Sequence, residues 1–219
     1  MYFLIFQKKQ KMKILILGST GGTGQQLVTQ SLKQNYEVTA IARDPSKLNL
    51  NHEKLTVVKG SVLDKDVLAN ALEGNDAVLS ALGVGKSLKS KDLICNAVRI
   101  IISAMNEKNV KRLVFLSAFG VGETFKQADF IQRVIFKLFL RNIYADKSKA
   151  DDQIHRSSLE WTLVYPVLMT DTPGTGKYKV GEKLEMKGMP KISRADVAEF
   201  MLRQLNDDTF LKKSPILMS

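Results

Sequence analysis

A single cysteine, Cys95, stands in the whole chain. No intrachain disulfide can form, and nothing in the cysteine usage asks for an oxidising compartment, so a reducing cytoplasm is the expected setting. Histidine is almost as scarce. His52 and His155 share no metal-ligand spacing with each other or with Cys95, which leaves no bound metal expected and both rings on the surface. Long apolar runs are missing too: Met1–Phe6 falls far short of the roughly 20 residues that cross a bilayer. Lys8, Lys9, Lys11 and Lys13 follow that run, the reverse of the charge order in a secretory signal. Residues 1–11 therefore read as a poorly ordered extension to a fold that begins at Met12. Acidic residues are the last deficit, 22 against 33 lysines and arginines, for a net charge of +11. Such a surplus suits nucleic acid, a membrane surface or small anions. The lysines are scattered, however, and no basic motif interleaved with aromatics appears, so nucleic acid is not an expected partner.

What the chain does have is 44% apolar residues over 219, enough for one sizeable core and one domain, residues 12–219. Apolar runs recur at Lys13–Leu17, Glu37–Ala42, Leu55–Lys59, Ala77–Ala81, Arg112–Leu116 and Trp161–Tyr165. Helical patterns separate them, near Thr23–Gln34, Lys65–Glu73, Asp92–Lys108, Asp129–Arg141, Asp146–Ser158 and Arg194–Leu205. The strands carry Val, Ile and Leu almost continuously, as strands covered by helices on both faces do. The class is α/β: a doubly wound parallel sheet of Rossmann type. After Pro166 the texture turns to Thr170–Gly176 and short strand-like pieces, expected to form a small cap on the sheet's carboxyl edge.

Gly18-Ser19-Thr20-Gly21-Gly22-Thr23-Gly24 follows the first strand and opens the first helix. In that context Gly18 permits a tight turn, Gly21 or Gly22 lets backbone approach a pyrophosphate, and Gly24 lets helix and strand pack closely. Thr20 and Thr23 lie in the same loop, and free N–H groups at the helix start meet the phosphates. The second strand ends Ile41-Ala42-Arg43, a cation where an NAD site carries a carboxylate. Arg43 is expected to clasp a 2′-phosphate with Lys47 adding charge, which selects NADPH over NADH. Asp44 competes as a ribose ligand, but it precedes Pro45 and more naturally starts a turn. Ser61 and Val62 end the third strand where an adenine sits. Leu82 and Gly83 end the fourth, with Gly83 and Gly85 permitting close approach of a ligand, while Asp64 reads as a helix cap.

These segments, together with Ser117-Ala118-Phe119, Trp161–Pro166, Thr170–Tyr178 and Ile192–Asp196, resemble the atypical short-chain dehydrogenase/reductases from Met12 to about Leu205. The particular likeness is to biliverdin-IXβ reductase (flavin reductase) and NmrA-like proteins. The resemblance implies NADPH delivering hydride to a flat acceptor such as a flavin, tetrapyrrole or quinone, the cofactor performing the chemistry. It places Ser117 at the active-site serine, against the alternative of a strand-end serine bonded to backbone, and Lys147 at the ribose-side lysine. It puts Pro166 beside the nicotinamide, with the backbone of Val167 and Leu168 shaping the pocket. Ordinary members use Tyr-x-x-x-Lys. Here Ile143 fills the tyrosine slot before Lys147 and Tyr144 is out of register, which puts a tyrosine base in doubt. The segment Phe125–Leu140 is longer and more apolar than in the compact reductases. Phe130, Ile131, Val134, Ile135, Leu138 and Phe139 share one helical face opposite Arg133, Lys137 and Arg141, a pattern suited to core, lid, dimer surface or membrane contact, the first two preferred. A monomer or homodimer is expected. A non-catalytic NADP sensor is the competing function, and epimerase chemistry ranks below both.

Overall fold

The structure, a computed structural model, describes residues 12–83, 92–186 and 188–219, leaving aside the side chains of Ile131, Lys137 and Phe139. The expectations for residues 1–11 and for Gly85 lie outside the described residues. Six apolar runs form the strands foreseen for them: β1 (Lys13–Leu17), β2 (Glu37–Ala42), β3 (Leu55–Lys59), β4 (Ala77–Ser80), β5 (Arg112–Leu116) and β6 (Glu160–Pro166). Four short strands follow, β7 (Leu168–Thr170), β8 (Lys179–Gly181), β9 (Lys191–Ser193) and β10 (Ile216–Met218). The main sheet has eight strands in the order β3-β2-β1-β4-β5-β6-β10-β8, parallel throughout except for β8. Ile14, Leu15, Ile16 and Leu17 are fully buried, as a central strand covered on both faces must be. The chain winds outward from β1 to β3 and returns to β4, so the strand order reverses between β1 and β4. Such a reversal is where an open α/β sheet takes its ligand, in the cleft outside the strands' carboxyl ends.

Helices α1 (Gly22–Lys33), α2 (Lys65–Leu72), α3 (Leu93–Glu107), α4 (Phe130–Phe139), α5 (Arg141–His155) and α6 (Arg194–Arg203) cover the sheet. Asp64 caps α2 as expected, accepting from the backbone N–H groups of Asp66 and Val67. The start of α3 is capped from a distance. Asp92 there is left-handed (φ +52°) and makes no side-chain cap, and the Asp146 carboxylate accepts instead from Ile94 and Cys95 N–H, each at 3.0 Å. That contact ties α5 to the base of α3.

Three expectations change. The tail is more than a cap, because β10 and β8 extend the main sheet while only β7 and β9 form a separate parallel pair. Helix α5 starts at Arg141 rather than Asp146, and the one non-helical residue between α4 and α5, Leu140 (φ −115°, ψ 5°), is neither Gly nor Pro. Described members of the apolar stripe of α4 turn away from the core. Phe130 and Leu138 are 81% and 71% exposed, while Phe136 packs on Phe119 and Tyr144 and the buried Gln132 completes a capping box with Asp129. The helix is rotated because an aromatic cluster at Phe136 anchors it, an effect periodicity alone does not weigh.

Candidate functional site

At the carboxyl edge the loop 18–24 is built by backbone. Gly18 sits at φ +75°, and a Cβ there would come within 2.5 Å of the Ala81 carbonyl oxygen, so the ends of β1 and β4 are packed backbone to backbone. A Cβ at Gly24 would run into the Gly18 carbonyl, the close packing of helix start against strand end that this position was assigned. Gly21 has room for a Cβ, which would meet the Gly18 oxygen only at 3.4 Å. Gly22 is crowded by the Arg194 side chain, its Cδ 2.7 Å from a Cβ position. Gly21 is the N-cap of α1 without a side-chain cap, and the first turn holds no acidic residue, so the amides of Gly22, Thr23 and Gly24 meet no carboxylate from their own helix. Such a helix start attracts phosphate.

Ties fix the loop to the second strand. Ser19 Oγ donates to Ile41 O at 3.0 Å, and Gln25 Nε2 donates to Thr20 O and Lys47 O at 3.3 and 3.2 Å. Thr23 Oγ1 donates to the Met169 sulfur at 3.6 Å, bringing β7 onto the start of α1. Arg43 and Lys47 are both exposed at the end of β2. Asp44 accepts from Ser46 N–H and from the Ser46 hydroxyl and pairs with Lys47 at 3.6 Å, so it caps the single turn Pro45–Leu48. The Ser46 hydroxyl holds its carboxyl below the usual range. Ser61 accepts from Leu63 N–H at 3.2 Å just after β3, next to half-buried Val62; Leu82 follows β4 with its backbone nitrogen beside Gly18, while a Cβ at Gly83 would meet nothing within 4 Å.

The other end of the cleft is made of buried side chains. Ser117 Oγ donates to Asp151 Oδ2 at 2.7 Å, and the Tyr165 hydroxyl donates to the same oxygen at 2.8 Å. The serine is thus bonded to a carboxylate rather than to backbone. Burial pushes the Asp151 carboxyl up to about 6. Its second oxygen is buried and meets no donor among the described residues. One helical turn before it, Lys147 Nζ donates to Leu116 O at 3.1 Å and lies 5.9 Å over the Phe115 ring, with burial drawing its pKa below the ordinary value. Ser117 and Lys147 therefore flank one carboxylate at the end of β5. Tyr144 donates its hydroxyl to Phe119 O at 3.0 Å, and burial pushes it up to about 12. Pro166 O accepts from Phe119 N–H, and the Val167 amide is spent on Leu217 O at 3.1 Å; Leu168 alone of that trio is half-exposed.

Asp151, Tyr165, Asp146 and Arg194 were not singled out as functional from sequence. The four-residue spacing of Lys147 and Asp151 on a helix was the available signal for one of them. His52 and His155 are exposed as foreseen, His155 lying edge-on to Trp161, and the described residues hold no cluster of metal-binding side chains. No described helix is long and apolar enough to cross a membrane.

A mostly parallel sheet reversing its order behind a glycine loop defines a Rossmann-type dinucleotide-binding protein. A model of NAD(P)H-binding proteins matches residues 18–208, and the chain belongs to that family. An uncharacterized protein of Bacillus subtilis, YwnB, is 28% identical over 207 residues, 89% of this chain and 92% of its own length. A short-chain dehydrogenase/reductase of Veillonella parvula solved in complex with NADP has the same fold, with TM-score 0.81, 20% identity, and 95% and 94% of the two chains covered. An anaerobillin reductase of Escherichia coli O157:H7 follows at TM-score 0.77, 20% identity, and 94% and 97% coverage. The family match is in keeping with the NAD(P)-binding Rossmann fold that the sequence resemblance implied.

Proposed function

We propose that the chain is an NADPH-dependent reductase that passes hydride to a flat conjugated acceptor such as a flavin, a tetrapyrrole or a quinone. The observation that carries this reading is the fate of Tyr144. Its hydroxyl is committed to the Phe119 carbonyl and made a poorer acid by burial, and the position four residues before Lys147 holds Ile143, which together speak against Tyr144 as the base of alcohol oxidation. Bound NADPH would supply the hydride. The chain's own residues would position it: loop amides on the pyrophosphate, Arg43 on the 2′-phosphate, Lys147 at the ribose, and Pro166, Val167 and Leu168 around the nicotinamide. Ser117, held by Asp151, would orient the acceptor or the carboxamide, and the acceptor's proton comes from solvent. A cytoplasmic setting suits a chain with one unpaired cysteine.

The same commitment of Ser117 to Asp151 favours a second reading, a sensor that binds NADP without turnover. Mixing the purified protein with NADPH and FMN and following nicotinamide absorbance separates the two. Steady oxidation of NADPH supports the reductase; tight NADPH binding with no oxidation by FMN, biliverdin or a quinone supports the sensor.

A further inference from the structure

The first residue of α6 reaches across to the first residue of α1. Arg194 lies so close over Gly22 that its Cδ would be 2.7 Å and its Nε 3.0 Å from a Cβ there. Its place is fixed by two ties: Gln30 Nε2 of α1 donates to Ala195 O at 2.9 Å, and Ser193 caps α6 by accepting from Asp196 N–H. Asp196 in turn accepts from Thr175 and Gly176 N–H, each at 2.8 Å, which holds the turn after β7 against the same helix. Arg194 Nη1 pairs with Asp171 Oδ1 at 3.2 Å, but the two partners differ in exposure: the Arg194 side chain is 28% exposed and that of Asp171 86%.

A guanidinium beside the start of α1 is an electrostatic misfit taken alone. The amino end of a helix is its positive end, and this one carries neither an acidic first turn nor a side-chain cap. An ion pair whose acid is that exposed compensates only weakly. A second anion at the helix start would satisfy both the amides and the arginine, and a planar guanidinium can exchange one oxyanion for another without loss of fork geometry.

We propose that Arg194 is a pyrophosphate-binding residue, latched to Asp171 until the dinucleotide takes the carboxylate's place. This rests on the cofactor reading above and adds a residue to it from the far end of the chain. Gly22 is then glycine to let the arginine stem cross the loop, and Asp171 is a competitor of the cofactor.

Calorimetric titration of the full chain with NADP⁺, NAD⁺ and ADP-ribose tests it. Arg194→Gln should weaken all three by the same factor, about tenfold or more, because all carry the pyrophosphate. Arg194→Lys should restore part of the loss. Asp171→Asn should tighten all three a few-fold, and that gain should vanish in the Arg194→Gln background. A merely structural ion pair predicts the opposite sign for Asp171→Asn, so weakened binding in that variant overturns the latch, as does unchanged affinity in a folded Arg194→Gln protein. If the unmodified chain binds none of the three ligands, the cofactor reading falls and takes the latch with it. If it binds them and Arg194 proves indifferent, only the latch falls.

Discussion

The two ends of the cleft are built from different materials. Around Gly18–Gly24 the tightest contacts are main chain against main chain, Gly18 on Ala81 and Gly24 on Gly18, with the Arg194 side chain crossing at Gly22. Around Ser117 the positioning is done by polar side chains in a dry interior, where Ser117 and Tyr165 converge on one oxygen of Asp151 and Lys147 lies one turn away. The backbone-built end tolerates little change of shape at Gly18 and Gly24. The side-chain-built end is soft to pH and to isosteric change, because its order depends on the protonation of one carboxyl.

The sharpest test of that contrast is a methyl group. Gly24→Ala drives a Cβ into backbone that cannot yield and should cost more than about 3 kcal/mol of stability together with all dinucleotide binding. Gly21→Ala, which meets nothing closer than 3.4 Å, should stay within about 0.5 kcal/mol of the parent, and the larger Gly21→Val should fold yet lose NADPH. Thermal melting and calorimetry read both quantities, and equal losses at Gly21 and Gly24 would erase the distinction.

At the other end the lever is pH. The folded Asp151 carboxyl stands at about 6 against an ordinary 3.8. A raised acid holds its proton more tightly folded than unfolded, so its stabilising contribution is complete below about pH 4 and is lost as pH rises through about 6, a swing of about 3 kcal/mol. Asp151→Asn cannot titrate. The stability difference between parent and variant, from urea midpoints at pH 4 and 7, should shift by that amount in favour of the variant as pH rises; a constant difference would show the carboxyl to be unperturbed.

Cofactor choice ranks next. Arg43→Ala should remove an approximately ten- to hundredfold preference for NADPH over NADH, the worth of a charge-assisted contact to the 2′-phosphate. Equal weakening of both cofactors would release Arg43 from that role. The smallest effect belongs to Tyr144→Phe, which deletes one hydrogen bond to Phe119 O and should cost about 1 kcal/mol of stability with most FMN reductase activity intact. A loss of about a thousandfold at unchanged NADPH affinity would instead make tyrosine the acid and carbonyl reduction the chemistry.

The difference between the two ends also decided what the sequence disclosed. Strands β1 to β6 and the glycine loop were legible because burial on both faces writes continuous apolar runs, and because backbone crowding writes glycine at fixed intervals. Arg194 was not, since nothing local distinguishes a helical Arg that leans onto another helix from one in solvent, and Asp151 was signalled only by its four-residue spacing from Lys147. The cap of α3 by Asp146 was hidden for the same reason: donor and acceptor lie about fifty residues apart, where capping rules look three or four residues away. The break at Leu140 carries no Gly or Pro, and α4 shows how an aromatic anchor at Phe136 outweighs the larger apolar stripe around Phe130 and Leu138. Short strands such as Ile216–Met218 were overlooked because three residues are too few to show a period.

Those three residues govern the order in which the sheet can be completed. Among the described residues β8 pairs in the sheet with β10 alone, while β10 docks alongside β6 through Ile216 opposite Tyr165. Residues 179–181 are therefore synthesised early but acquire a seat late: they wait for a segment some 35 residues downstream, which must itself close a loop of about fifty residues onto β6. The outer edge of the molecule is assembled from the inside outward against the direction of the chain, so a lesion in β10 unseats two strands, and a lesion in β8 only one.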